Sequence, residues 1–134
     1  MCSGIEYKDS LLLWRDSEVE LPVLLRGGEV SWVRWGERHG VVSEFFQGPC
    51  ARLESIQTGK WRRYSPTPVK IPMERYMERD AKGAPYWVKA PAGSVLQGLL
   101  AVADGEQRVY VVTVDSPPEY RHVQPRWPRV LTLA

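Results

Sequence analysis

Proline and glycine interrupt this chain about every ten residues, and the segments between them are short and rich in β-branched and aromatic residues. A helix of ordinary length cannot be threaded through such punctuation, whereas strands of five or six residues can. Three hairpins are predicted. Leu21–Leu25 and Val30–Trp35 flank Arg26-Gly27-Gly28-Glu29, and Val95–Val102 and Gln107–Val114 flank Asp104-Gly105. Val69–Met77 and Tyr86–Lys89 flank Ala81-Lys82-Gly83. Helix signals are few. Ser116-Pro117-Pro118-Glu119 reads as the capped start of a short helix running to about Val123, stopped by Pro125 and Pro128. Ala51–Ile56 suits a helical turn or an extended stretch equally. There is no repeat, low-complexity tract or linker, so residues 1–134 are expected to form a single β-rich α+β domain.

With 134 residues, 43% of them hydrophobic and 25% charged, the chain can bury a real core. No run of about 18 apolar residues is present to cross a membrane, and Met1–Asp9 has no basic region followed by an apolar stretch. A cytoplasmic, monomeric protein without membrane association is expected. Cys2 and Cys50 are the only cysteines, too few for a disulfide scaffold and without paired metal-ligand spacing. The spacing of Cys2, Cys50 and His122 gives no support to a zinc site, so no metal and no cofactor are expected. A nucleophile elbow and a phosphate-cradling glycine loop are also missing.

A net charge of +2 does not by itself drive nucleic-acid binding, so charge placement matters more. Lys60-Trp61-Arg62-Arg63 and Arg121, Arg126, Trp127 and Arg129 interleave cations with aromatics. That pattern suits a single strand, whose phosphates want cations and whose unpaired bases want a stacking face. It equally describes an arginine-rich solvated surface over tryptophans in the core. The titratable candidates are Cys2, Cys50, Glu54, Glu78, His39 and His122. Cys2 follows the initiator methionine directly. Once Met1 is removed, an α-amine with pKa near 8 and a thiol near 8.5 sit on neighbouring carbons. Together they can trap an aldehyde, first as a Schiff base and then as a thiazolidine, or attack an acyl group.

The order of several short motifs then resembles a known family. Met1-Cys2, Trp35-Gly36, Ala51-Arg52-Leu53-Glu54-Ser55, Tyr76-Met77-Glu78, Val109-Tyr110-Val111-Val112-Thr113 and Arg126-Trp127-Pro128-Arg129-Val130-Leu131 follow one another as in the SOS response-associated peptidase (SRAP) family. The resemblance spans nearly the whole chain and rests on order and spacing rather than on any one motif. It implies barrel-like antiparallel sheets with a few short helices. It also implies covalent capture of abasic sites in single-stranded DNA through the N-terminal cysteine. On that resemblance Cys2 is the nucleophile, Glu78 the proton-transfer group and His122 a further catalytic residue. Arg52 and Arg126 contact DNA phosphates, and Trp35 or Trp61 is partly exposed beside the DNA.

The chain departs from the family in instructive places. Cys50 stands where the family has asparagine, Gln124 stands where it has histidine, with His122 two positions earlier, and Ser3-Gly4-Ile5 replaces the arginine after the cysteine. The chain is also shorter than usual members. Cys50 and Gln124 become orienting or redox residues, and the resemblance implies a Cys2–Cys50 pair close enough for a reversible disulfide. Two further readings stand beside abasic-site capture: a non-catalytic SRAP-like module that binds single-stranded DNA, and a cysteine-dependent self-processing peptidase.

Overall fold

The computed structural model describes residues 1–132 as a β-rich domain with one short α-helix. The first sheet holds β1 (Cys2–Tyr7), β2 (Ser10–Leu13), β7 (Arg75–Arg79) and β8 (Pro85–Lys89), in the order β2-β1-β7-β8 and antiparallel throughout. A separate hairpin pairs β3 (Glu20–Leu24) with β4 (Val30–Arg34). The largest sheet is built on β9 (Ser94–Ala103) and β10 (Glu106–Asp115), which pair from the Asp104-Gly105 turn as far as Gly98 and Val111. Beyond that rung, β11 (Arg126–Pro128) pairs with β10 and β12 (Val130–Thr132) with β9, so the C-terminal segment fills the fork between them. On the outer edges, β6 (Thr67–Pro72) pairs antiparallel with β9 and β5 (Cys50–Arg52) parallel with β10. The helix α1 (Leu53–Gln57) follows β5 directly.

All three predicted turns form, but the strand expected over Val69–Met77 divides between two partners. Val69–Met77 is two elements rather than one: β6 joins β9, and only β7 pairs with β8. Pro68 and Pro72 lack N–H groups and are tolerated because β6 pairs along one edge only. The predicted helix over 116–123 shrinks to a single 3-10 turn at Pro118–Tyr120. Ser116 does not cap it, since its buried hydroxyl donates to the Gln124 carbonyl at 2.5 Å. Around Ala51–Ile56 both alternatives occur in succession, as β5 and then α1.

One core joins the faces of the sheets through Ile5, Leu21, Trp35, Ile71, Leu96, Val111 and Trp127. A second, aromatic cluster contains Phe45, Trp61, Tyr64 and Tyr110. The segment between β4 and β5 is closed at its base by an isolated bridge between Glu37 and Gly48. Gly36 makes that closure possible: its φ is +52°, and a Cβ there would sit 2.2 Å from the Gly48 carbonyl oxygen. Gly36→Ala is therefore expected to cost about 3 kcal/mol, from positive-φ strain and a backbone clash together. Urea unfolding reads the loss as a lower midpoint at unchanged slope.

Candidate active site

The N-terminal strand carries a bulge that decides what Cys2 faces. Ile5 pairs with Tyr76 and Gly4 with Met77, but Cys2 pairs with Glu78, leaving Ser3 as the extra residue. Strict alternation would put Cys2 on the face shared by Gly4 and Glu6. The extra residue turns it onto the face of Ile5, Tyr76 and Glu78. Cys2 and Glu78 are both fully buried there, next to each other across the ladder, and Glu78 is in turn paired with Tyr86 of β8.

Glu78 is the group whose environment is least ordinary. Its Oε1 lies 2.7 Å from the Met1 ammonium, and apart from that cation neither carboxylate oxygen has a hydrogen-bond partner. Burial raises its pKa and the ammonium lowers it; burial wins, and the carboxyl is pushed up to about 7. Glu78 is therefore a buried carboxyl and not an exposed charge among Glu74, Arg75, Arg79 and Asp80.

The Cys2 thiol donates to the Gly4 carbonyl at 3.7 Å. Burial, and then the negative charges at Glu78 and Cys50, push its pKa well up. Cys50 packs against the core that holds Cys2, and burial pushes its thiol up to about 12, with the terminal ammonium pulling the other way. Both cysteines are free. Both thiols are held protonated at neutral pH, a state in which thiol–disulfide exchange is slow.

The remaining candidates lie around this row or away from it. Gln124 donates to the Arg79 carbonyl at 2.5 Å and so braces the end of β7 beside Glu78. His122 is exposed, edge-on to Tyr86 with ring centroids 6.3 Å apart. Arg126 pairs with Asp115 at the end of β10, and its guanidinium reaches back to Thr113, the partner of Arg52 in the strand that begins at Cys50. Its guanidinium is held by both Glu54 oxygens at 2.7 and 3.1 Å, by Asp115 at 3.0 Å and by the Thr113 carbonyl at 2.8 Å. Arg52 is exposed and only loosely paired, 3.8 Å from Glu54. His39 lies elsewhere, against Trp14.

The tryptophan expectation is corrected. Trp35 is 1% exposed and donates its indole N–H to the Pro49 carbonyl at 2.9 Å, and Trp61 is 5% exposed among Phe46, Tyr64 and Tyr110. Buried indoles have no face left for a base. Each fills the space under a loop, which composition alone could not distinguish from a binding surface. Sequence reasoning also missed Tyr76 and Tyr86, although alternation along Tyr76-Met77-Glu78 places Tyr76 on the face of Glu78.

Among the described residues, no group of three or more His, Cys, Asp and Glu is arranged to hold a metal ion, and no helix is long and apolar enough to cross a membrane. Neither the comparison with protein-family models nor that with curated proteins finds a match.

Proposed function

We propose that this protein is SRAP-like and captures abasic sites in single-stranded DNA through Cys2 once Met1 has been removed. The observation that carries the reading is the buried Cys2–Glu78 pair beside the chain terminus: the Met1 ammonium lies 2.7 Å from the carboxylate, and removal of Met1 puts the new Cys2 amine one residue along from that position. Abasic deoxyribose rests mostly as a closed hemiacetal. Opening it needs one group that can give and take a proton near neutrality, and a carboxyl with pKa about 7 does both. The freed aldehyde and the Cys2 amine condense to a Schiff base with loss of water. The thiol then adds to the imine carbon: a C–S bond forms, the S–H bond breaks, and the proton passes through Glu78 to the nitrogen. The ring that results is a thiazolidine.

A protonated thiol suits this closure better than it suits peptide hydrolysis. Burial and two neighbouring acids hold the thiol protonated, which weighs against the thiolate that attack on a peptide carbonyl favours. The imine needs only a thiol whose proton has somewhere to go. Arg52, exposed and loosely paired, is the cation available to a phosphate, whereas Arg126 is already clamped between two carboxylates. Incubation with a single-stranded oligonucleotide carrying one abasic site tests the reading. A one-to-one adduct that survives denaturation supports it. Salt-sensitive binding without an adduct replaces it with the non-catalytic module.

A further inference from the structure

One row along from the reactive pair, on the same face of the first sheet, Tyr76 pairs with Val88. Two residues along a strand is about 6.6 Å. These two side chains line a cavity of ≈ 380 Å³ whose other walls include Pro117, Tyr120 and Trp127. Trp127 is buried, and its indole N–H donates to the Tyr76 hydroxyl at 2.8 Å. Tyr120 lies flat on Trp127, with centroids 4.4 Å apart and planes within 5°. Tyr120 is itself only half-buried, so its ring is a stacking platform fixed from behind. Tyr86 closes the gap to the reactive row: it pairs with Glu78 and meets Tyr120 edge-on at 6.4 Å. Lys89, Arg129 and Glu119 also line it, two cations to one carboxylate, with Arg129 donating to the Gln97 side chain at 2.5 Å. The cavity thus joins three aromatic rings to a net positive lining, one row from Glu78.

We propose that this cavity is a nucleobase subsite that takes a base flanking the abasic nucleotide. The proposal rests on the abasic-capture reading and adds to it what holds the strand beside the lesion. An abasic site offers no base of its own, so affinity has to come from its neighbours. Stacking on a preorganised tyrosine supplies it without sequence preference. The Tyr76 hydroxyl accepts from Trp127 and keeps its own proton, which a carbonyl or ring nitrogen of the base can accept.

The test uses single strands carrying an unreactive tetrahydrofuran abasic analogue, read by fluorescence anisotropy. The base on the 5′ side, the 3′ side, or neither is replaced by a second tetrahydrofuran. Losing one of the two flanking bases is expected to weaken binding by roughly 5- to 100-fold, the worth of one stacked base. That difference is expected to vanish in Tyr120→Ala and in Val88→Phe, which fills the cavity, each checked for an intact thermal transition. Equal binding whichever base is missing, or an undiminished difference in both folded variants, overturns the subsite. A parallel incubation with a reactive abasic strand separates the two failures. An adduct formed without flanking-base dependence removes the subsite alone, and no adduct at all removes the capture reading and the subsite with it.

Discussion

Glu78→Gln is expected to slow formation of the covalent product by 10²–10⁴-fold, the usual worth of a positioned proton-transfer group, while leaving single-strand affinity unchanged. In the parent protein the rate is expected to change around pH 7, where the buried carboxyl titrates, and in the variant that inflection disappears. The same substitution is expected to raise stability. Glu78 has a folded pKa of about 7, above its unfolded value, so between roughly pH 4.3 and 7 the folded state binds more protons than the unfolded chain. Stability falls as pH rises through that window, because above it a charge is buried that water would solvate in the unfolded chain. Glutamine carries no such charge. At pH 8 the variant is expected to be more stable by on the order of 1–3 kcal/mol, and at pH 4 the two proteins should melt alike. Calorimetry at the two pH values checks this, and a variant less stable at pH 8 would contradict it. A group that costs stability when charged and sits against a terminal amine fits a role in chemistry better than one in holding the fold together.

The second large effect is structural. Arg108 and Glu37 form a buried ion pair, N–O 3.3 Å, with side chains 8% and 3% exposed. Glu37 also accepts from the Ser43 hydroxyl and the Arg38 backbone N–H. Arg108 lies over the Phe45 ring, its guanidinium carbon 4.6 Å from the centroid. The pair ties the segment that leads to Cys50 down onto β10. Arg108→Ala strands the Glu37 carboxylate and is expected to cost 3–5 kcal/mol in urea unfolding. Removing both charges, as Glu37→Gln with Arg108→Met, is expected to cost clearly less than the single change, because no buried charge is left unpaired. A single variant as stable as the parent would mean that the segment is not anchored there.

Much of the fold could be read locally. Asp104 and Gly105 both adopt positive φ, the backbone that a two-residue hairpin demands, and the sequence carries the residues that tolerate it. Gly28 and Gly83 mark the other two turns in the same way. Pairings between distant segments were less legible. Within Val69–Met77, Pro72 is a legible sign that the run breaks or lies at an edge, but which strands the two halves join, β9 and β8, is not written in the segment. The pairing of Cys2 with Glu78 was reachable only through the order of motifs, and the bulge at Ser3 that aims Cys2 at the carboxylate leaves no signature in Cys2-Ser3-Gly4-Ile5. Arg126 shows the same limit: its position suggests a phosphate anchor, while its two carboxylate partners are Asp115, 11 residues away on β10, and Glu54, 72 residues away on α1. Burial of Trp35 and Trp61 was likewise a matter of which side of a loop each lies on.

Intact-mass spectrometry of the purified protein, before and after incubation with a single strand bearing one abasic site, tests the central claim most directly. The account predicts a starting mass without methionine, and afterwards a one-to-one adduct equal to protein plus oligonucleotide less water, present in the parent and absent in Cys2→Ala. A protein that has lost Met1 and forms no adduct, or an adduct that persists in Cys2→Ala, would contradict it.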